Sequence, residues 1–266
     1  MNLKSRVVPV THLDQKICTE MFGIMQNYYD GITLENFSAD LAKKSDVILL
    51  IDFDNGRLCG FSTLVWKKMV VDKTEVIGVF SGDTVLERKY WGNPSLGISF
   101  LTYLFFLKLR NFRMPVYWFL ISKGYRTYLL MAKNFPECYP VENKATPKFE
   151  KSLMDAFYGS HWKEAYQPER GVISFVGDTC RLKEDVAPIT RQMREKMPAI
   201  QFFERANPEW AKGEELACIA KMSLAMPFRY LIKKFVIRKV SLLWKQRSGK
   251  ILQPRAGVTP GGHHGG

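Results

Sequence analysis

The sequence predicts an α+β protein: a mixed, mostly antiparallel sheet flanked by helices, with an insertion and a C-terminal amphipathic helix. Three observations carry this. Strand-like and helix-like periods alternate through the first half of the chain. Asp54-Asn55-Gly56 lies between two apolar, strand-like runs, the strongest short-range hairpin signal. Residues 74–112 read as a strand, a basic and aromatic turn, and a very apolar helix.

Taken in order, residues 6–10 form a short first strand, and Thr11 caps a helix with Asp14 at its third position and Ile17, Met21, Ile24 and Met25 at helical spacing. Thr33 caps a second helix over residues 34–43. Residues 46–53 and 58–69 are the hairpin strands, residues 67–73 a turn region, and residues 75–85 a third strand. The helix from Ser95 to Arg110 is apolar on nearly all sides, which predicts burial on several faces. Residues 114–121 are then a buried strand, and a helix starts at Ser122 or Lys123 and runs to Lys133.

The turn between the third strand and its helix has the chemistry of an anion site. The first turn of a helix leaves backbone N–H groups without acceptors, and the helix dipole adds partial positive charge there. Asn93 suits the N-cap, Pro94 the first helical position, and Gly92 lets backbone approach a ligand. Arg88 and Lys89 add full charges, and Ser95 opens the helix, so the turn could hold a phosphate or pyrophosphate. The alternative is an ordinary strand-to-helix connection with solvated basic residues.

The chain has 266 residues, 46% of them hydrophobic, enough for a large core. No apolar run reaches membrane-spanning length, and no signal-peptide core follows the amino terminus. Five scattered cysteines without a CxxC pair read as reduced thiols and predict a cytoplasmic protein. The net charge of +13 is uneven: after Glu215 there is no acidic residue and ten basic ones, while the first 215 residues carry 29 basic against 26 acidic. There is no nucleophile elbow, phosphate-binding P-loop, His-Glu-x-x-His or cysteine zinc pattern, so no metal site is assigned, nor is sequence-specific nucleic-acid binding.

The order strand, two helices, three antiparallel strands, helix, strand, helix resembles that of the GNAT acyltransferase superfamily, over residues 6–141. In that family the fourth strand and following helix hold an acyl-thioester cofactor, and a loop of pattern Arg/Gln-x-x-Gly-x-Gly/Ala supplies amides to its pyrophosphate. The nearest match here is Lys89-Tyr90-Trp91-Gly92-Asn93-Pro94: Gly92 fits, Lys89 stands for Arg or Gln, and Pro94 has no amide to donate. Ser122 and Asn134-Phe135 resemble the polar residue and closing Gly-Phe around the next helix, with Leu130 where the family often has a tyrosine. The resemblance implies an acyl-CoA or acyl-phosphopantetheine donor held by Arg88, Lys89, Gly92, Asn93 and Ser95, and an amine acceptor, of an amino acid, peptide or small molecule.

Direct attack of an amine on a thioester needs a polarised carbonyl, a neutral amine and a protonated leaving thiolate. Candidates to take the amine proton are Asp83 and Glu87; candidates at the thiolate are Ser122, Tyr125 and Tyr128. Asp83 alternatively caps a turn, and Glu87 pairs with Arg88 or Lys89. The apolar helix and Tyr117-Trp118-Phe119 suggest a medium or long acyl chain, as in the fatty-acyl-transferring branch.

The domain reading is a GNAT-like domain over 1–215 with an insertion at about 142–198, a basic amphipathic helical extension over 216–247 and a disordered tail over 248–266. Within the insertion, residues 149–162 and 183–196 read as helices, 171–176 as a strand, His161 as a helix-surface histidine, and 200–204 as the last strand of the sheet. The extension carries Phe228, Leu231, Phe235 and Trp244 on one face and Lys233, Lys234 and Arg238 on the other, suited to an acidic carrier protein, an anionic membrane surface with peripheral localisation, or docking on its own domain. The alternative to an enzyme is a non-catalytic, membrane- or polyanion-associated binding protein that retains the fold.

Overall fold

The computed structural model describes residues 2–175, 181–182 and 188–225. The chain divides into two compact units, Met1–Met226 and Pro227–Gly266. The expected amphipathic helix beyond Pro227 and the tail over 248–266 lie outside the described residues.

Strand β1 (Leu3–Pro9) leads through a 3-10 turn, Val10–His12, into helix α1 (Gln15–Gln26). The cap is Asp14 rather than Thr11: its carboxylate accepts the Ile17 N–H at 2.7 Å, because Thr11 is taken up in the 3-10 turn. A two-residue strand β2 (Tyr29–Asp30) precedes α2 (Leu34–Leu41), which Thr33 caps through the Asn36 N–H. Strands β3 (Asp46–Asp52), β4 (Leu58–Val71) and β5 (Thr74–Leu86) follow as an antiparallel meander. The expected turn region over 67–73 is instead mostly strand. Asp72 and Lys73 alone make the turn, with φ of 48° and 63°, the left-handed pair that a two-residue hairpin needs.

Helix α3 (Ser95–Arg110), β6 (Val116–Ser122), α4 (Tyr125–Asn134) and the two-residue β7 (Cys138–Tyr139) come next. The expectation that α3 is buried on several faces does not hold. Phe100, Leu101 and Leu104 are buried, but Ile98, Phe106 and Leu109 stay exposed, since only one side of the helix meets the sheet. Beyond β7 lie α5 (Lys148–His161), β8 (Tyr166–Gln167), β9 (Val172–Ile173), β10 (Arg181–Leu182), α6 (Arg191–Lys196), α7 (Pro198–Ala206) and β11 (Glu215–Met222). The expected last strand over 200–204 is therefore helical. Pro198 starts α7, and Ile200 and Phe203 bury one face at a spacing of three. The last long strand is β11, which carries the sheet past residue 215. Of the helix expected over 183–196, residues 191–196 are helical, and 183–187 lie outside the described residues.

The main sheet has the order β1-β3-β4-β5-β6-β11-β9-β8, with β7 also on β11, while β10 pairs with β2 in a separate ribbon. Its neighbours are antiparallel except β5 and β6. One face is covered by α1 and α2, around Met21, Phe37, Val47 and Phe61, and by α5, around Phe119, Phe157 and Tyr158. On the opposite face Phe100 of α3 and Phe135 at the end of α4 pack on Trp118, with ring centroids 4.7 and 4.9 Å away. Tyr158 is fully buried. Its hydroxyl accepts the Leu120 N–H of β6 at 3.0 Å and donates to the Cys218 carbonyl of β11 at 2.6 Å, bridging two paired residues.

Candidate active site

The site begins where the parallel strands β5 and β6 come apart. β5 and β6 pair from Ile77↔Val116 to Ser81↔Leu120 and no further. Immediately after Ser81, Gly82 and Asp83 together oppose the single residue Thr63 of β4, a β-bulge that bends β5. The close approach there explains Gly82: a Cβ at this position would lie 2.6 Å from Thr63 Oγ1 and 3.3 Å from Lys44 Nζ. Where the strands part, a cavity of about 860 Å³ opens.

Its two sides differ in charge. The side under α4 and the turn after β5 is lined by Trp91, Gly92, Arg126, Thr127, Leu130 and Lys133. The Arg126 guanidinium stacks 4.4 Å from the Trp91 ring, held there by cation–π attraction. The side on the α1, α2 and α5 face carries Asp40, Lys44, Lys123 and Glu215, with Phe80, Trp162 and Phe175 as an aromatic wall. Phe80 and Trp162 meet edge-to-face at 5.4 Å, and Trp162 and Phe175 at 6.3 Å. Lys44 pairs with Asp40 at 2.6 Å and Lys123 with Glu215 at 3.5 Å, all but Asp40 mostly shielded from solvent.

Asp83 lines the cavity at the bulge, and no side chain among the described residues makes an ion pair or hydrogen bond with its carboxylate. Burial pushes its pKa up from the usual carboxylate value; the Lys44 and Lys123 ammoniums oppose the rise, and Asp40 adds to it. The carboxylate is thus a stronger base than an exposed aspartate. Tyr125, at the first position of α4, is buried and lines the same cavity.

Of the residues expected from the sequence, Asp83, Tyr125 and Gly92 meet in the cavity; the others do not. Glu87 is drawn away into a two-pronged ion pair with Arg57 and also lies 3.9 Å from Lys89, so it pairs with a residue 30 positions earlier and not chiefly with its neighbours. Ser122 is fully buried with its hydroxyl donated to the Gly124 carbonyl at 2.8 Å. Tyr128 donates to the Pro140 carbonyl, and burial raises its pKa. Arg88 and Lys89 are exposed outside the cavity; the first stacks 5.5 Å from Trp91 and the second 4.6 Å from Tyr90. Their turn is a 3-10 helix, Arg88–Tyr90, anchored by the Arg88 N–H on the Tyr28 hydroxyl and by Tyr90 on Asp52. Asn93 is not the N-cap and Pro94 is not the first helical residue: Pro94 holds the cap position, one residue later than expected, and the Asn93 amide oxygen accepts the Ser95 N–H at 2.9 Å. That bond uses the Ser95 amide internally. The Phe157 carbonyl accepts the Nδ1–H of His161 at 2.7 Å, and burial lowers the His161 pKa.

Sequence reasoning missed Lys44, Lys123, Arg126 and Glu215. Arg126 is the second residue of α4, beside Tyr125, and a cation at a helix start is a signal the sequence carries. The others come from three distant segments and carry no local signal.

The order strand, two helices, three antiparallel strands, helix, strand and helix expected from the sequence is the order observed from β1 to α4. No family model and no curated protein matches the sequence. Among solved structures, the chain is similar to a conserved protein of Enterococcus faecalis V583 described as a probable N-acyltransferase, at 14% identity and a TM-score of 0.37. The match covers 48% of this chain and 32% of that one, so the chain spans about a third of that protein's length. It is also similar to an acetyltransferase of Trypanosoma brucei, at 14% identity and a TM-score of 0.36, over 54% of this chain and 97% of that one. A third is glucosamine-6-phosphate N-acetyltransferase from Arabidopsis thaliana, at 10% identity and a TM-score of 0.38, over 55% and 100%. Among the described residues, no helix is long and apolar enough to cross a membrane.

Proposed function

We propose that this protein is an N-acyltransferase that moves an acyl group from an acyl thioester of the coenzyme A type to an amine. The observation that carries the reading is the cavity at the parted strands, with Arg126 and Lys133 on one side and the unpaired Asp83 on the other. An anionic, phosphate-bearing donor suits the first side, and an ammonium the second.

In this reading Arg126, with Lys133 behind it, takes over the phosphate role first expected of Arg88 and Lys89, and Gly92, with φ of 85°, lets the turn approach the donor. The β5 edge beyond Ser81, which has no β6 partner, offers backbone N–H groups to the thioester carbonyl oxygen. Asp83 takes one proton from the incoming ammonium. The neutral amine nitrogen then bonds to the carbonyl carbon, the C–S bond breaks, and the thiolate takes a proton through the Tyr125 hydroxyl as the new amide nitrogen loses its second one.

The acyl group is short to medium in this reading. The two elements expected to hold a long chain do other work: Tyr117, Trp118 and Phe119 are buried in the core, and the α3 residues 96–109 lie outside the cavity lining. Leu120, Ile121, Leu129 and Met25 are the apolar lining that remains for it.

The full chain is incubated with acetyl-, octanoyl- and palmitoyl-coenzyme A and a mixture of amines. Released thiol and N-acylated products are followed colorimetrically and by mass spectrometry. Thiol release that needs an amine, is fastest with acetyl or octanoyl, and is lost in Asp83→Asn supports the proposal. Thioester that is retained but not consumed makes the chain a binding protein of this fold, and no retention at all removes the donor site.

A further inference from the structure

The charges of the acceptor side are nearly matched before any substrate arrives. Lys44 is held by Asp40 at 2.6 Å and Lys123 by Glu215 at 3.5 Å, which leaves Asp83 as the one carboxylate there, among the described residues, without a cationic partner in contact. Among the described residues, that side therefore carries one more acid than base. Beside it stand Phe80, Trp162 and Phe175, three rings in edge-to-face contact.

We propose that the acceptor is a monocationic amine with an aromatic or bulky apolar body and no carboxylate of its own. This rests on the acyl-transfer reading above for the word acceptor, and on the cavity alone for the chemistry of the ligand. An ammonium set against Asp83 completes the charge balance, and its ring or alkyl body lies along the Phe80–Trp162–Phe175 wall, where desolvation and cation–π contact both favour it. An amino acid would bring a carboxylate among Asp40, Asp83 and Glu215, whose two counter-ions are already engaged. A polyamine would bring two or more charges that find no further unpaired acid there and would have to shed their water against aromatic rings.

The test is calorimetric binding of 2-phenylethylamine, L-phenylalanine and spermidine to the full chain without donor. Thiol release from acetyl-coenzyme A is then measured with each. Phenylethylamine is expected to bind at least tenfold more tightly than either of the others, and Asp83→Asn to weaken it at least tenfold. Trp162→Ala is expected to narrow the preference for phenylethylamine over methylamine at least fivefold. Tighter binding of L-phenylalanine or spermidine, or no binding of any of the three, overturns the proposal on the unmodified protein, whatever the variants do. The two readings fail separately. Phenylethylamine bound as expected but never acylated leaves the amine site and removes acyl transfer; acylation that prefers phenylalanine leaves acyl transfer and removes the proposed acceptor class.

Discussion

Replacing Tyr158 with Phe removes one oxygen from the centre of the fold and tests whether that oxygen holds the cleft together. The hydroxyl is completely buried, accepts the Leu120 N–H at 3.0 Å and donates to the Cys218 carbonyl at 2.6 Å. Leu120 is the last β6 residue paired with β5, so the bridge sits at the point from which the cavity opens. In Tyr158→Phe the ring stays, packed among Phe157, Trp162 and Tyr166, but two buried backbone groups lose their partner. A buried polar group left unsatisfied costs about 1–3 kcal/mol, so the variant should lose roughly 2–5 kcal/mol. For a unit of this size that is a fall in Tm of roughly 5–15 °C. Urea unfolding followed by tryptophan fluorescence, with the slope held common to both proteins, measures it. Leu120 and Cys218 are direct partners across β6 and β11, so a strand pair able to close the gap would make its own hydrogen bond. A loss below about 0.5 kcal/mol would show that closure and refute the bridging role.

Two more predictions concern the site. Arg126→Ala should weaken donor binding about tenfold to a hundredfold, the worth of a charge-assisted phosphate contact of about 1.5–3 kcal/mol, while the Arg88→Ala, Lys89→Ala double variant should change it less than about threefold. Isothermal titration with desulfo-coenzyme A decides between them, and a larger effect of the double variant would return the phosphates to the turn after β5. Asp83 has a pKa raised in the folded state, so its protonated form favours folding: that stability is present at low pH and is lost as pH rises through the folded value. Asp83→Asn should therefore melt above the parent protein at neutral pH, and the difference should vanish below about pH 4, where the aspartate is protonated in both states. The parent protein's kcat/KM for the amine should rise along an acidic limb set by the same group, and loss of Asp83 without either change would remove it as the base.

What could be read locally in the sequence is what local chemistry decides. Asn55-Gly56 announced the β3–β4 hairpin, Thr33 announced the start of α2, and the apolar run within residues 75–85 announced β5, because each is set by turn preferences, capping or residue type within a few residues. Residues 200–204 misled because a short apolar run fits either period, and only Pro198 and the packing of Ile200 and Phe203 make it a helix. The small, apolar residues of β11 gave no strand signal of their own; β6 on one side and β7 and β9 on the other make it a strand. The same division holds for the site. Asp83, Gly92 and Tyr125 stand at the ends of elements the sequence marks, but what Asp83 can do depends on Lys44, Lys123 and Asp40, brought to it from far along the chain by the bulge and the parting of β5 from β6. Arg57, 30 residues before Glu87, removes that carboxylate from the site in the same way. Side-chain type and period act over one turn or one strand; charge pairing and burial act through space, and only the folded chain fixes which charges are left without a partner.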